Sequence, residues 1–495
     1  MSHEYTEENN LLLAAEDWPA AQFPKVHKFS SFEQRIVKTL IAHGPVLLRG
    51  GRGSGKSALL IEADRQIGSD MPLVLSVYIS LRHLPLLRSE GKIYESILCG
   101  LLVTEIRKKL TALGLATMPA TPNDAGQLRQ ALGQLSSKIN RRIVLMIDDA
   151  AHLGRETALT EFFDIFRTIS SSTVSVKASI YPGVTRFGTR FDVFNDATIV
   201  DVARDERSPE FASFFESVLS ARFPSLKSKI TKLTPGRGLH TKYAATLLGR
   251  TVVGNMRAFV FACNWLEESE KVGFVEINNV MVRLASDYYW PLLDEVAPKL
   301  GPYEPLVETC RTVAEVVFRY VAVTDSCGII VHRDIVQKLA KLFEILEYVG
   351  FLSRREASRS LKSGGRGPRF ALNLATLLEA RPKARLTSAL AERWLQSNAG
   401  DVDFHINGTV IPMAFPDVET NRDLAVFALP ISKVGRSKVY PYGLTTNQVS
   451  SLEEAGYTTI GAVANASDEQ LDDIPKIGLK TVEKIRHVIT QAIWM

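Results

Sequence analysis

The sequence predicts an α/β protein, a parallel-sheet core followed by smaller helical modules. Three observations carry this. Residues Gly50-Gly51-Arg52-Gly53-Ser54-Gly55-Lys56-Ser57 complete the pattern G-x-x-x-x-G-K-S between an apolar strand and a helix. A second apolar run, Ile143-Val144-Leu145-Met146-Ile147, ends in Asp148-Asp149. At 495 residues the chain is too long for a single core, and length alone suggests about three domains.

Composition sets the class. Hydrophobic content of 45% and charged content of 23% are ordinary for a globular protein, and a net charge of +5 permits nucleic-acid binding without indicating it. No apolar run approaches the roughly 18 residues that span a bilayer, and Met1 to Asn10 is acidic and polar, so the expectation is a cytoplasmic protein without membrane contact. Cys99, Cys263, Cys310 and Cys327 are far apart and lack C-x-x-C spacing, which reads as free thiols in apolar surroundings.

The glycine-rich segment follows Pro45-Val46-Leu47-Leu48 and precedes Ala58-Leu59-Leu60-Ile61. In such a strand–loop–helix unit the glycines let successive backbone N–H groups converge on a phosphate at the helix N-terminus, and a lysine adds a cation. Gly50, Gly51, Gly53, Ser54, Gly55, Lys56, Ser57 and Ala58 are therefore the expected contacts of a nucleoside triphosphate, ATP or ADP, with Mg²⁺ on Ser57. The run ending in Asp148-Asp149 describes a buried parallel strand that delivers acids to the sheet edge beside that loop. Asp148 is expected to organise the Mg²⁺ shell and Asp149 to polarise the attacking water. Between the two motifs, Leu73 to Ile79 reads as a further strand, and Ile93, Ile97, Leu101, Ile106 and Leu110 as one helix face.

Beyond Asp149 come a strand-like run, Val174 to Ile180, a loop, Tyr181 to Asp192, a short strand, Ala197 to Asp201, and later Gly254-Asn255-Met256-Arg257. Taken with the two motifs, residues 20 to about 270 resemble AAA+ ATPases of the origin-recognition initiator type, with the Asp-Asp pair typical of STAND switches. The resemblance implies a strand inserted between the two motif strands. It also implies that Ser179 is the sensor-1 residue, that Arg186 and Arg190 are arginine-finger candidates, and that Arg257 is the sensor-2 contact to the γ-phosphate. Lys56, Asp149 and Arg257 are then the catalytic set, a finger acting in trans implies a homo-oligomer, and the short acid at 149 implies slow hydrolysis or a nucleotide switch.

Downstream, apolar residues at Ile335, Leu339, Leu342, Phe343, Leu346 and Val349 recur at helical spacing. Two strand-like segments, 350–355 and 369–373, flank a basic, glycine-rich linker, which is the pattern of a winged helix. Initiator-type ATPases carry such a domain after the lid. Arg354, Arg355, Arg359, Lys362, Arg366 and Arg369 face a single acid, Glu356, and are candidates for contact with duplex DNA. At the C-terminal end, Leu471 to Ile485 matches a helix-hairpin-helix and resembles the C-terminal domain of the RNA polymerase α subunit. Gly478 is expected to make the tight hairpin, with Lys476, Lys480 and Lys484 adding charge toward a DNA phosphate.

The expected organisation is an ATPase core over 1–205, a helical lid over 206–300, a winged helix over 301–385, a small β-containing linker over 386–440 with no function assigned, and the helix-hairpin-helix over 441–495. The functional expectation is a nucleotide-switched ATPase on duplex DNA, of initiator, transposition-regulator or antiviral-defence type, with an effector such as a nuclease or transposase as a possible partner. The alternative is a STAND-like signalling switch that senses a protein or foreign nucleic acid.

Overall fold

The computed structural model describes residues 14–494 apart from 83, 88, 116–121, 151–155, 184–186, 188–189, 232–239, 397–399, 414–415, 417–423 and 438–442. Strands β1 (Val46–Arg49), β2 (Val74–Ser80), β3 (Arg142–Asp148), β4 (Val174–Ile180) and β5 (Thr198–Asp201) form one parallel sheet in the order β2-β3-β4-β1-β5. All five lie where the apolar runs place them, and β4 separates the strand before the glycine-rich loop from the strand that ends in Asp148. Along β4 every residue is buried, as a parallel strand covered on both faces requires.

Successive residues of β1 and β3 enter opposite cores. Leu47 and Leu145 pack with the helix Gly91–Ala112, and Leu48 and Val144 pack against α1 (Ser31–Ile41) and α2 (Lys56–Asp70). A capping box fixes the start of α1, with the Ser30 hydroxyl accepting from the Glu33 N–H and the Glu33 carboxylate accepting from the Ser30 N–H.

After β5 the chain turns helical, with α3 (Met256–Glu267) and α4 (Trp290–Val296) among its elements. These helices share one hydrophobic core with α5 (Ala340–Val349) and a second sheet, through Phe259, Tyr289, Phe343 and Phe351. That sheet contains β6 (Gly328–Val331), β7 (Leu352–Ser360), β8 (Arg366–Leu372) and β9 (Asp401–Phe404) in the order β7-β8-β6-β9. Strands β7 and β8 form an antiparallel hairpin, while β9 joins β6 in parallel. The hairpin strands run further than the sequence pattern suggests, so Arg359 and Arg366 sit on paired strands rather than in a loose linker. The segment left without a function contributes β9.

The C-terminal module has its own core, including Leu452, Ile460, Leu471, Ile485 and Ile489. Its last two helices are Asp468–Asp472 and α6 (Leu479–Trp494). The residue in the left-handed region between them is Lys476, at φ +73°, and not the expected Gly478. Gly478 instead accepts the first turn's N–H from Thr481 through its carbonyl, at 2.7 Å.

Candidate nucleotide site

The loop from Gly50 to Ser57 is shaped by its glycines. Gly53 and Gly55 adopt φ +76° and +95°, which side-chain-bearing residues rarely tolerate. A Cβ on Gly53 would also lie 2.5 Å from the Asn255 Oδ1 and 2.8 Å from the Arg257 Cβ. That close approach exists because the Gly53 carbonyl accepts the Met256 N–H at 3.0 Å and the Arg257 N–H at 3.3 Å, while the Asn255 Nδ2 donates to the Arg52 carbonyl at 2.6 Å. Asn255 also caps α3 by accepting the Ala258 N–H. The segment Gly254 to Arg257 is thus joined directly to the phosphate loop, and Arg257 lines the same cavity as Lys56.

Lys56 donates to the carbonyls of Gly50 at 2.8 Å and Gly51 at 3.1 Å, with its ammonium 3.9 Å from the centroid of Tyr181. Burial lowers its pKa to about 8, against the pull of Asp148 and Asp149. Burial, then the neighbouring Arg52, also lowers Arg257. Two desolvated cations at the end of a loop of backbone donors make a cradle for an anion. The Ser54 hydroxyl, buried without a hydrogen-bond partner among the described residues, adds a donor on the same loop. These groups fit a polyphosphate.

The acids lie opposite. Asp148 accepts from the Tyr78 hydroxyl at 2.8 Å and the Ser179 hydroxyl at 2.5 Å. The Asp149 N–H donates to the Asp148 Oδ1 at 3.0 Å and the Ser179 Oγ at 2.9 Å, which holds Asp149 at φ +52°. Asp tolerates the left-handed region better than most residues, and the turn aims its carboxylate into the cavity. There it meets Arg82 at 2.7 Å and the Tyr181 hydroxyl at 3.3 Å. Burial and the adjacent Asp148 raise the Asp149 carboxyl to about 6, with Arg82 acting against them.

The other expected residues lie in different surroundings. Ser179 is fully buried and serves the Asp148–Asp149 turn, whereas Tyr181, two residues on, reaches the cavity. Arg190 is 67% exposed along its side chain and lies 3.6 Å from Asp164; Arg186 lies outside the described residues. Ser57 is the second residue of α2, directly after Lys56, and it lines the cavity together with the buried Ala58.

Sequence reasoning missed Arg82, Tyr181 and Arg204. Arg82 pairs with both Asp149 and Glu16. Arg204, 7% exposed, pairs with Glu33 and donates to the carbonyls of Ser54 at 2.8 Å and Gly254 at 2.9 Å, so one guanidinium ties α1, the phosphate loop and the turn before α3. All three lie within three residues of the C-terminal end of a parallel strand, β2, β4 or β5, which is where ligands of open α/β sheets bind. Position relative to strand ends was the available signal.

The basic hairpin splits in two. Arg355 and Arg369 have side chains only 2% exposed and pair with Glu206 at 2.6 and 3.2 Å; Arg369 also meets Asp401 at 3.0 Å. They are structural ions and do not face solvent as expected. Their charge outweighs the effect of burial and holds the Glu206 carboxyl at about 2. Arg359 is partly engaged by Glu356 and Asp401, while Arg354, Lys362 and Arg366 are exposed. In the C-terminal module Lys476 and Lys480 are exposed and Lys484 is half-buried.

The strand order and the cavity define a P-loop α/β core with its acids across the sheet edge from the glycine-rich loop. No protein-family model matches the chain, and no curated protein matches it. Among solved structures it is similar to a Walker-type ATPase of Pyrococcus abyssi, at 12% identity over 71% of this chain and 94% of that one, with a TM-score of 0.43. It is also similar to the Aeropyrum pernix ORC2 protein in ADPNP–ADP complexes, at 9% identity, 74% and 93% coverage and a TM-score of 0.37. The Aeropyrum pernix ORC1 protein in complex with DNA matches at 16% identity, 74% and 92% coverage and a TM-score of 0.29. Among the described residues no helix is long and apolar enough to cross a membrane.

Proposed function

We propose that the chain is an ATP-binding, initiator-type AAA+ ATPase whose nucleotide state controls its grip on duplex DNA. The observation that carries this reading is the convergence of Lys56, Arg257 and Asp149 on one cavity, with Asp148 buried directly behind Asp149, across a sheet in which β4 separates β1 from β3. In this reading the backbone of Gly53 to Ser57 and the Lys56 ammonium bind the phosphates, and Arg257 meets the negative charge that grows on the terminal one. Asp149 orients the attacking water and draws on its proton. A divalent cation would be held by Ser57 and Asp148 and would screen phosphate charge. Arg190, exposed beyond β4, is the candidate for reaching a neighbouring copy in a homo-oligomer.

DNA contact is assigned to basic residues that reach solvent on two modules read as a winged helix and a helix-hairpin-helix: the exposed Arg354, Lys362 and Arg366 on the first, and the exposed Lys476 and Lys480 with the half-buried Lys484 on the second. Filter binding of labelled duplex DNA with and without Mg-ATP over a salt series tests the reading. We expect affinity to fall steeply with salt and to differ between nucleotide states. A response flat to both rules it out.

A second reading, a slow STAND-like switch, is favoured by Arg82. Its ion pair on Asp149 competes with any water for the carboxylate. Nucleotide identification on the purified chain separates the two, because retained ADP with negligible turnover supports the switch and rapid exchange with turnover supports the ATPase.

A further inference from the structure

The hairpin module touches the nucleotide site at its working parts. Arg52 donates its backbone N–H to the Tyr348 carbonyl at 3.0 Å, in the last turn of α5, where helix carbonyls lack partners of their own. Gly51 lies so close that a Cβ there would sit 2.9 Å from the Glu347 carbonyl oxygen. Beside this seam, Lys341 donates to the Gly183 carbonyl at 2.8 Å. The Tyr348 ring meets Tyr181 edge-on, with centroids 4.9 Å apart and planes at 81°. Tyr181 in turn presents its face to Lys56 and its hydroxyl to Asp149. A second contact lies nearby, where Arg355 donates to the carbonyl of Val253 at 3.2 Å. Val253 is a β-branched residue at φ +54°, in the turn that delivers Arg257.

We propose that Tyr181 is a positioning residue that sets Lys56 and Asp149 relative to each other and, through Tyr348, makes nucleotide binding and the seating of α5 one coupled equilibrium. This rests on the reading of the cavity as a nucleotide site. Lys56 now holds the carbonyls of Gly50 and Gly51, so its transfer to a phosphate changes both the loop backbone and the cation on the Tyr181 face. Gly51 has no slack against Glu347, and the change reaches α5 directly. Coupling of this kind is reciprocal, so loosening α5 changes nucleotide affinity as much as nucleotide changes α5.

The test follows two readouts on the full chain: binding of a fluorescent ATP analogue with Mg²⁺, and amide hydrogen exchange over Ala340–Val349 with and without it. In the wild type we expect the analogue to bind and to change exchange in α5 by about 5-fold or more. Tyr348→Ala should still bind the analogue but lose that response, and Tyr348→Phe, which keeps the ring, should retain it. If Tyr348→Ala does not fold, Tyr348→Leu supplies apolar bulk without the ring. Binding with unchanged α5 exchange in the wild type, or a wild-type response in Tyr348→Ala or Tyr348→Leu, overturns the coupling and leaves the nucleotide site standing. Failure of the wild type to bind the analogue, with Lys56→Ala as the baseline, overturns the nucleotide reading and the coupling with it.

Discussion

The phosphate loop and the basic hairpin are both dense in motif-like residues, and the fold treats them differently. From Arg52 to Ser57 the residues gather on one cavity. From Arg354 to Arg369 chemically similar side chains diverge, two into a buried ion cluster, three onto the surface, and Arg359 partly engaged between them. A motif whose function lies in the backbone survives folding intact, because glycine conformations and a helix start fix where the N–H groups point. A charge cluster has no such constraint. Position along the hairpin decides which arginine faces Glu206 and which faces solvent: Arg355 lies at a register shift of β7, and Arg366 is the exposed first residue of an otherwise buried β8.

Breaking each side of that comparison gives effects of different size. The largest belongs to the loop. Lys56→Ala should weaken nucleotide binding by about 100-fold or more, since a desolvated charge-assisted contact is lost. Asp149→Asn should bind nucleotide normally and slow hydrolysis by roughly 10² to 10⁴. Titration of ATP analogue and steady-state turnover read both. Because Asp149 is raised to about 6, hydrolysis should increase as pH rises through that value and level off above it.

The hairpin should answer in stability where its arginines are buried. Arg369→Ala leaves Glu206 and Asp401 short of a partner and should destabilise the chain by about 3 kcal/mol, whereas Arg366→Ala should cost under about 0.5 kcal/mol. Denaturant melts compare them. In DNA binding the order should reverse, with Arg366→Ala lowering the salt slope by about one and leaving the fold intact. The pH dependence has a definite sign. Glu206 is held at about 2 against a usual 4.5, so its pairing stabilises the fold fully above pH 4.5. That contribution, about 3 kcal/mol, should fade as pH falls from 4.5 toward 2.

The same contrast explains what could be read from sequence. Five parallel strands, the loop and the acid pair were legible because apolar runs and glycine spacing encode them locally. Arg82, Tyr181 and Arg204 were not, since each gains its role only when a strand end is brought beside a loop far away in the chain. The parallel pairing of β9 with β6 was equally hidden, since strand-like alternation from Asp401 onward does not say which strand it joins. Arg355 and Arg369 misled for a related reason: Glu206, their counter-ion, lies in another part of the chain.

Lys476 joins the two sides of the comparison in one residue, because it is a backbone element and a surface charge at once. It holds the left-handed position at φ +73° in the turn before α6 and is exposed. A side chain there costs about 1 kcal/mol relative to glycine. Lys476→Gly should therefore stabilise the C-terminal module by roughly 0.5–1 kcal/mol while reducing its salt-dependent DNA affinity, by about one unit of slope if the ammonium meets a phosphate. Lys476→Ala removes the same charge without relieving the backbone, so it should match the loss in slope and show no gain in stability. If both variants bind DNA as the wild type does, the turn is a structural corner and the phosphate contact belongs to Lys480 or Lys484. If Lys476→Gly alone loses DNA, the strained backbone itself shapes the contact.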